Sequence, residues 1–284
     1  MAYLLEAAVA TAAALPAPAA WTVDPWQPVP ISSPAFESHP AFDRRDRALY
    51  FVRSSARFTG WRLQVSRCRD GRWTEPQPPA FAGDGAEADP FVTADGGALY
   101  FISSRSEAGV RQSELDIWRV ARRRGGGWGA PERLPEPVNS AGNEWFPRLA
   151  RDGWLYFGSD RPGGLGGTDI WRAREQGGRW TLENLGTGVN GAGDEYEAEI
   201  SRDGRRMLLM ADGDLWRAAR SRSGAWGART RLGPQINSAR LEVGPLLAPD
   251  GRSFLFARDT GAGASGELFL AGNRRAGSWL PRCP

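Results

Sequence analysis

The sequence predicts an all-β protein, a single β-propeller of four-stranded antiparallel blades, five in number with six as the alternative. Three repeated features predict it. An Asp-Gly turn between short apolar runs recurs at Asp95-Gly96, Asp152-Gly153, Asp203-Gly204 and Asp250-Gly251, with Arg45-Asp46 at the same place in the first copy. Upstream of each turn stands a Glu, at Glu37, Glu87, Glu144, Glu195 and Glu242, so the repeat period is about fifty residues. Downstream, a Trp recurs at Trp73, Trp128, Trp180, Trp226 and Trp279. Asp-Gly between apolar runs is a strong hairpin signal. Four strand-like runs per unit of this period indicate propeller blades, each needing its neighbours to cover its faces.

The elements follow in order within each repeat. The first strand holds the Glu and, five residues before the turn, Pro40, Pro90, Pro147, Ala198 or Pro245. The second follows the turn as Leu49-Tyr50-Phe51, Leu99-Tyr100-Phe101, Leu155-Tyr156-Phe157, Met207-Leu208-Leu209 and Phe254-Leu255-Phe256. The third reads Asp116-Ile117-Trp118, Asp169-Ile170-Trp171, Asp214-Leu215-Trp216 and Glu267-Leu268-Phe269, and more loosely Trp61 to Val65 in the first copy. The downstream Trp opens the fourth strand. A connector of the type Val138-Asn139-Ser140, Val189-Asn190-Gly191 or Ile236-Asn237-Ser238 then leads to the next Glu. The large aromatics are the apolar wedges between blades.

The domain limits are repeats near 37–86, 87–143, 144–194, 195–241 and 242–284. An N-terminal strand at 21–24 is available to help close the ring, in competition with Trp279 for the outer edge of the last blade. Residues 1–20 are Ala-rich and end in small residues, which suits a secretory signal or a plain N-terminal extension. Their apolar run is too short to cross a bilayer.

The repeat resembles the WD-like β-propeller unit of the TolB type, in the variant that accompanies OmpA-like domains. The resemblance rests on the Asn-Ser/Gly connector, the P-x-x-x-x-D-G and L-Y-F-x-S runs, the stretch 161–171 and the second Trp, and covers about residues 21–281. It implies a periplasmic or otherwise exported protein that binds an envelope protein or peptide as a scaffold, without catalysis or cofactor; the location is cytoplasmic instead if residues 1–20 are not a signal, and a monomer is expected. Within these 284 residues no OmpA-like segment accompanies the repeats, so wall anchoring is not expected from them.

Composition excludes several classes. The net charge of +3 is too small for a nucleic-acid partner. The 36 basic residues are all Arg, a coding bias rather than a site. The run Arg122-Arg123-Arg124 is expected in a solvated turn. Histidine occurs once, as His39, at a position filled in other repeats by Asp89, Phe146, Glu197 and Gly244, so it is read as a varied blade position. A single His supports neither a His cluster for metal nor, without a G-x-S-x-G elbow, a Ser-His-Asp triad. The glycines of 163–167 lack the Lys-Ser/Thr of a nucleotide loop and are expected to serve a tight hairpin with positive φ.

Candidate binding residues fall on the rim and channel mouth: Arg148, Glu195, Glu197, Glu199, Arg161 and Asp169. The segment Asp194–Glu199 departs from the repeat, and on a regular strand Glu195, Glu197 and Glu199 share a face. The preferred reading is an ion pair between Arg148 and Glu199 on neighbouring inner strands; Ca²⁺ on the three carboxylates is the alternative. The repeated Glu are expected to do a shared structural job. Five-bladed propellers include glycoside hydrolases built on two or three carboxylates, which makes a carbohydrate-active or carbohydrate-binding protein the runner-up. A sensor of anions through channel-lining Arg is a third reading. Binding loops are sought in 107–114 and 162–168. Cys68 and Cys283 end strands of the first and last repeats, neighbours in a closed ring, and are candidates for a disulfide.

Overall fold

The computed structural model describes residues 21–110, 112–261, 266–272, 279–280 and 283. The proposed signal lies outside the described residues. Strand β1 (Thr22–Pro25) comes first, then blade one with β2 (Phe36–Asp43), β3 (Ala48–Ser54), β4 (Arg62–Arg69) and β5 (Arg72–Trp73). Blade two holds β6 (Glu87–Val92), β7 (Ala98–Ser103), β8 (Asp116–Arg122) and β9 (Trp128–Arg133). Blade three holds β10 (Glu144–Leu149), β11 (Leu155–Ser159), β12 (Asp169–Gln176) and β13 (Arg179–Asn184). Blade four holds β14 (Glu195–Ile200), β15 (Arg206–Ala211), β16 (Asp214–Ala219) and β17 (Thr230–Arg231). Blade five holds β18 (Glu242–Leu247), β19 (Phe254–Asp259) and β20 (Gly266–Gly272). Each sheet is antiparallel and four-stranded, and the inner strands β2, β6, β10, β14 and β18 pack side by side around one axis. The protein is a five-bladed all-β propeller.

Closure differs from the repeat pattern at Trp279. The outer edge of β20 is taken by β1, in register from Thr22 opposite Gly272 to Pro25 opposite Phe269. That edge has one row of backbone donors and acceptors, and once β1 holds it the residues at 279 cannot add a strand there. Trp279 instead lays its ring against Phe42 of blade one, 5.9 Å between centroids. Further on, Cys283 is bonded to Cys68 of β4, with Cα atoms 5.7 Å apart. The chain therefore ends over blade one while its beginning completes blade five.

The repeated residues explain why each blade forms. Asn139 accepts a hydrogen bond from Ile117 N and donates to Ile117 O and Leu134 O, so one amide imitates a strand neighbour along β8. Asn190 does the same to Ile170, and Asn237 to Leu215 and Leu232. The repeated Glu is fully buried and anchors connector to blade: Glu144 accepts from Ser140 N and Oγ, Ser159 Oγ and Arg161, and Glu242 accepts from Ser238 and Arg258. Such a charge is tolerated in the interior because a guanidinium and several hydrogen bonds satisfy it. Blade four lacks an Arg at the place of Arg53, Arg105 and Arg161. Arg229 reaches Glu195 from the connector after β16 instead.

Two local expectations are corrected. Arg122 is not part of a solvated turn: its side chain is 2% exposed, paired with Asp43 and Asp46 of blade one and stacked on Trp128. Arg123 and Arg124 are exposed. In the loop 162–168 only Gly163 has positive φ, at 94°. Gly166 is there for contact, since a Cβ would lie 2.0 Å from the Gly193 carbonyl of blade four.

Candidate functional site

Every inner strand carries a bulge at the same place. The pairing register shifts between Ser38 and Ala41, Ala88 and Phe91, Trp145 and Arg148, Tyr196 and Glu199, and Val243 and Leu246. A bulge inserts one unpaired residue and re-aims its side chain. The residues so re-aimed are His39 (φ 50°), Asp89 (55°), Phe146 (50°), Glu197 (55°) and Gly244 (65°). Four are not glycine, and a left-handed conformation costs an L-residue about 1–2 kcal/mol. Strain repeated around an axis and occupied by four different side chains points to a built centre.

These side chains meet. His39 Nε2 lies 2.9 Å from Glu197 Oε1 and 3.3 Å from Asp89 Oδ1, while Nδ1 is 2.8 Å from Ser38 Oγ. The second oxygens are also engaged, Asp89 Oδ2 accepting from Phe146 N at 2.9 Å and Glu197 Oε2 from Gly244 N at 2.7 Å. Each carboxylate thus ties its own blade to the next one, and the imidazole bridges blades two and four. Burial alone would depress the His39 pKa, but Glu197 and Asp89 beside it outweigh that and raise it. Burial also raises Asp89, against the lowering effect of His39.

One layer along the axis, Arg148 Nε donates to Glu199 Oε2 at 2.6 Å, and its guanidinium carbon sits 3.5 Å from the centre of the Phe146 ring. Glu199 also accepts from Leu247 N. Arg148, Glu199 and Phe146 are buried, so this layer plugs the channel.

Above the plug is a cavity of about 350 Å³ on the axis. His39, Asp89 and Glu197 belong to its lining, with Phe58, Trp61, Trp145 and Tyr196 as aromatic walls. The walls come in two pairs, Phe58 with Trp61 (5.5 Å between centroids) and Trp145 edge-on to Tyr196 (5.3 Å). All four rings are only partly buried, so the cavity is open to a ligand.

The residues singled out in the sequence divide. Glu197 lies at the cavity, with Glu199 and Arg148 beneath it. Glu195 does not join them. It pairs with Ala211 whereas Glu199 pairs with Leu208, and these partners stand three apart on β15, so the two Glu occupy opposite faces. The bulge has broken the alternation that would have put all three on one face. Arg161 is buried against Glu144 and the carbonyls of Pro137 and Val138. Asp169 accepts from Leu165 N, Gly166 N and Asn184 Nδ2, shaping the 162–168 loop. Among the described residues no group of three His, Cys, Asp or Glu side chains is arranged to hold a metal ion. His39 and Asp89 were missed by reading residue types. The available signal was a position whose occupant changes in all five repeats while its neighbours recur.

No family model matches this chain, and no curated protein matches it. Solved structures do. A protein described as a TolB from Agrobacterium tumefaciens superposes with a TM-score of 0.50 at 17% identity, over 80% of this chain and 71% of that one. A thermostable family-43 glycoside hydrolase gives 0.51 at 14% identity, over 87% and 91%. Hydrazine synthase of Kuenenia stuttgartiensis gives 0.53 at 13%, over 84% of this chain and 38% of that one. Identities this low speak to the fold, and the fold they share is the propeller. No helix among the described residues is long and apolar enough to cross a membrane.

Proposed function

We propose that this protein is a non-catalytic binding propeller of the cell envelope, which receives a protruding element of a partner protein or peptide in its axial cavity. The observation that carries the reading is a cavity closed below by a hydrogen-bonded floor and walled by Phe58, Trp61, Trp145 and Tyr196. Aromatic walls give contact area with little entropy to lose on binding. The Cys68–Cys283 bond favours an oxidising, exported location.

The runner-up is a carbohydrate-active protein, favoured by the same walls and by the two carboxylates. Against hydrolysis stands His39. A glycosidase needs open space between its two carboxyl groups for the sugar and the attacking group. Here one imidazole nitrogen contacts both carboxylates and fills that gap.

The test is selection of displayed peptides on the wild-type protein and on Trp145→Ala/Tyr196→Ala, with a parallel thermal-shift screen of oligosaccharides. Peptides that bind the wild type and are lost on the double variant are expected. If no peptide binds and oligosaccharides raise the melting temperature instead, the scaffold reading falls.

A further inference from the structure

We infer that the axial cavity is selective for an organic cation on an aliphatic stem, the Lys or Arg side chain of a partner protein. This rests on the reading that the cavity is a peptide-docking site, and adds the chemistry it selects. The charges point one way. The chain carries 36 Arg, yet among the described residues none lines the cavity, and the ionisable groups that do are His39, Asp89 and Glu197. The guanidinium of Arg148, which acts on His39 from the plug, is committed to Glu199. The cavity lining thus presents two carboxyl groups, Asp89 and Glu197, on either side of one imidazole. An acidic ligand group therefore meets two carboxyl groups and no guanidinium in the described lining, and the reading as an anion sensor lacks an Arg there.

The carboxylates keep capacity for a ligand. An ionised carboxylate has about four lone-pair sites, and Asp89 and Glu197 each have two polar neighbours, His39 and a bulge amide. The walls supply the second half of the recognition. A cation over a partly desolvated aromatic face gains about 0.5–2 kcal/mol, and the two aromatic pairs flank an aliphatic stem on opposite sides of the axis. Phe58 stacks nearly parallel on His39, 6.1 Å between centroids, which continues the wall down to the floor. Apolar walls with an anionic base suit a long side chain with a charged tip, since the stem is desolvated against the rings while the tip reaches the carboxylates.

The experiment titrates the full chain with Nα-acetyl-lysine amide, Nα-acetyl-norleucine amide and Nα-acetyl-glutamate amide, following the indole N–H resonances of Trp61 and Trp145. Norleucine keeps the stem and deletes the charge. The lysine compound is expected to bind at least tenfold more tightly than norleucine, with glutamate weakest. Asp89→Asn should remove most of that preference while leaving norleucine unchanged. Since Asp89 also holds the Phe146 amide, salt is a second measure on the wild type: lysine binding should weaken between low and high ionic strength, and norleucine binding should not. Norleucine binding as well as lysine, or glutamate binding best, overturns cation selectivity but leaves the docking site standing. If none of the three perturbs either indole, both readings fall together.

Discussion

Replacing Arg148 by Ala tests the physics of the plug. The side chain is 3% exposed, donates to Glu199 and to the Pro147 carbonyl, and stacks on Phe146. Its loss leaves Glu199 with the Leu247 amide as its remaining hydrogen-bond donor, in an interior where burial already raises its pKa. Breaking a buried pair from one side costs about 3–5 kcal/mol, a large part of the roughly 5–15 kcal/mol by which domains are stable. For a chain of this size the melting temperature should fall by about 10 °C. Removing both charges is different: Arg148→Met/Glu199→Leu exchanges an ion pair for apolar contact and should stay within about 2 kcal/mol of wild type. The assay is equilibrium urea unfolding followed by Trp fluorescence, with m compared to confirm a common unfolded state. Protonation neutralises a lone buried carboxylate, so the deficit of Arg148→Ala should shrink as pH is lowered. A loss below about 1 kcal/mol, or a double variant weaker than Arg148→Ala, would refute the argument.

Three further outcomes are expected. Gly244→Ala should destabilise by several kcal/mol, because at φ 65° a Cβ lies 2.6 Å from His39 N, whereas Gly204→Ala, at φ 69° with nothing within 4 Å, should cost about 1 kcal/mol; urea midpoints compare them. His39 has a raised folded pKa, so its ionised form stabilises the fold fully below the unfolded value of 6.5 and loses that effect as pH rises through the folded value. Unfolding measured from pH 6 upward should therefore fall more steeply for wild type than for His39→Gln, given that Asp89, Glu197, Arg148 and Ser38 face the ring in both; equal slopes would remove the bridge from the account. Reducing the Cys68–Cys283 bond, which closes a separation of 215 residues, should lower stability by up to about 5 kcal/mol on the chain-entropy account, with no loss of the five-bladed fold; an unchanged melting temperature in reductant would contradict it.

Much of this molecule was legible in the sequence. Asp-Gly turns, the Asn connectors and the repeated Glu act on residues a few positions away or at fixed places in the same blade, so their spacing reports their work directly. That is why the four-strand unit and its order could be read from register alone, while the Arg148–Glu199 contact was read from equivalent positions on neighbouring inner strands. The interior position of Arg122 could not, because its partners Asp43 and Asp46 sit at a different place in the preceding repeat, on another strand and its turn. Nor could the separation of Glu195 from Glu199, because strand alternation is counted on a regular strand and every inner strand here is bulged.

The sequence by itself determined a ring of repeated four-stranded sheets, since each blade leaves apolar faces that only another blade covers; the count of five rather than six came from the structure. Only the tertiary structure decided how the ring closes, because a sheet edge is filled through backbone hydrogen bonds that side-chain pattern does not specify, and β1 rather than the repeat position of Trp279 takes it. The tertiary structure also decided what lies at the centre. The five bulges bring His39, Asp89, Phe146, Glu197 and Gly244 to one axis from across the chain. Contact between His39 and Glu197, 158 residues apart, is set by closure of the ring and not by any local preference.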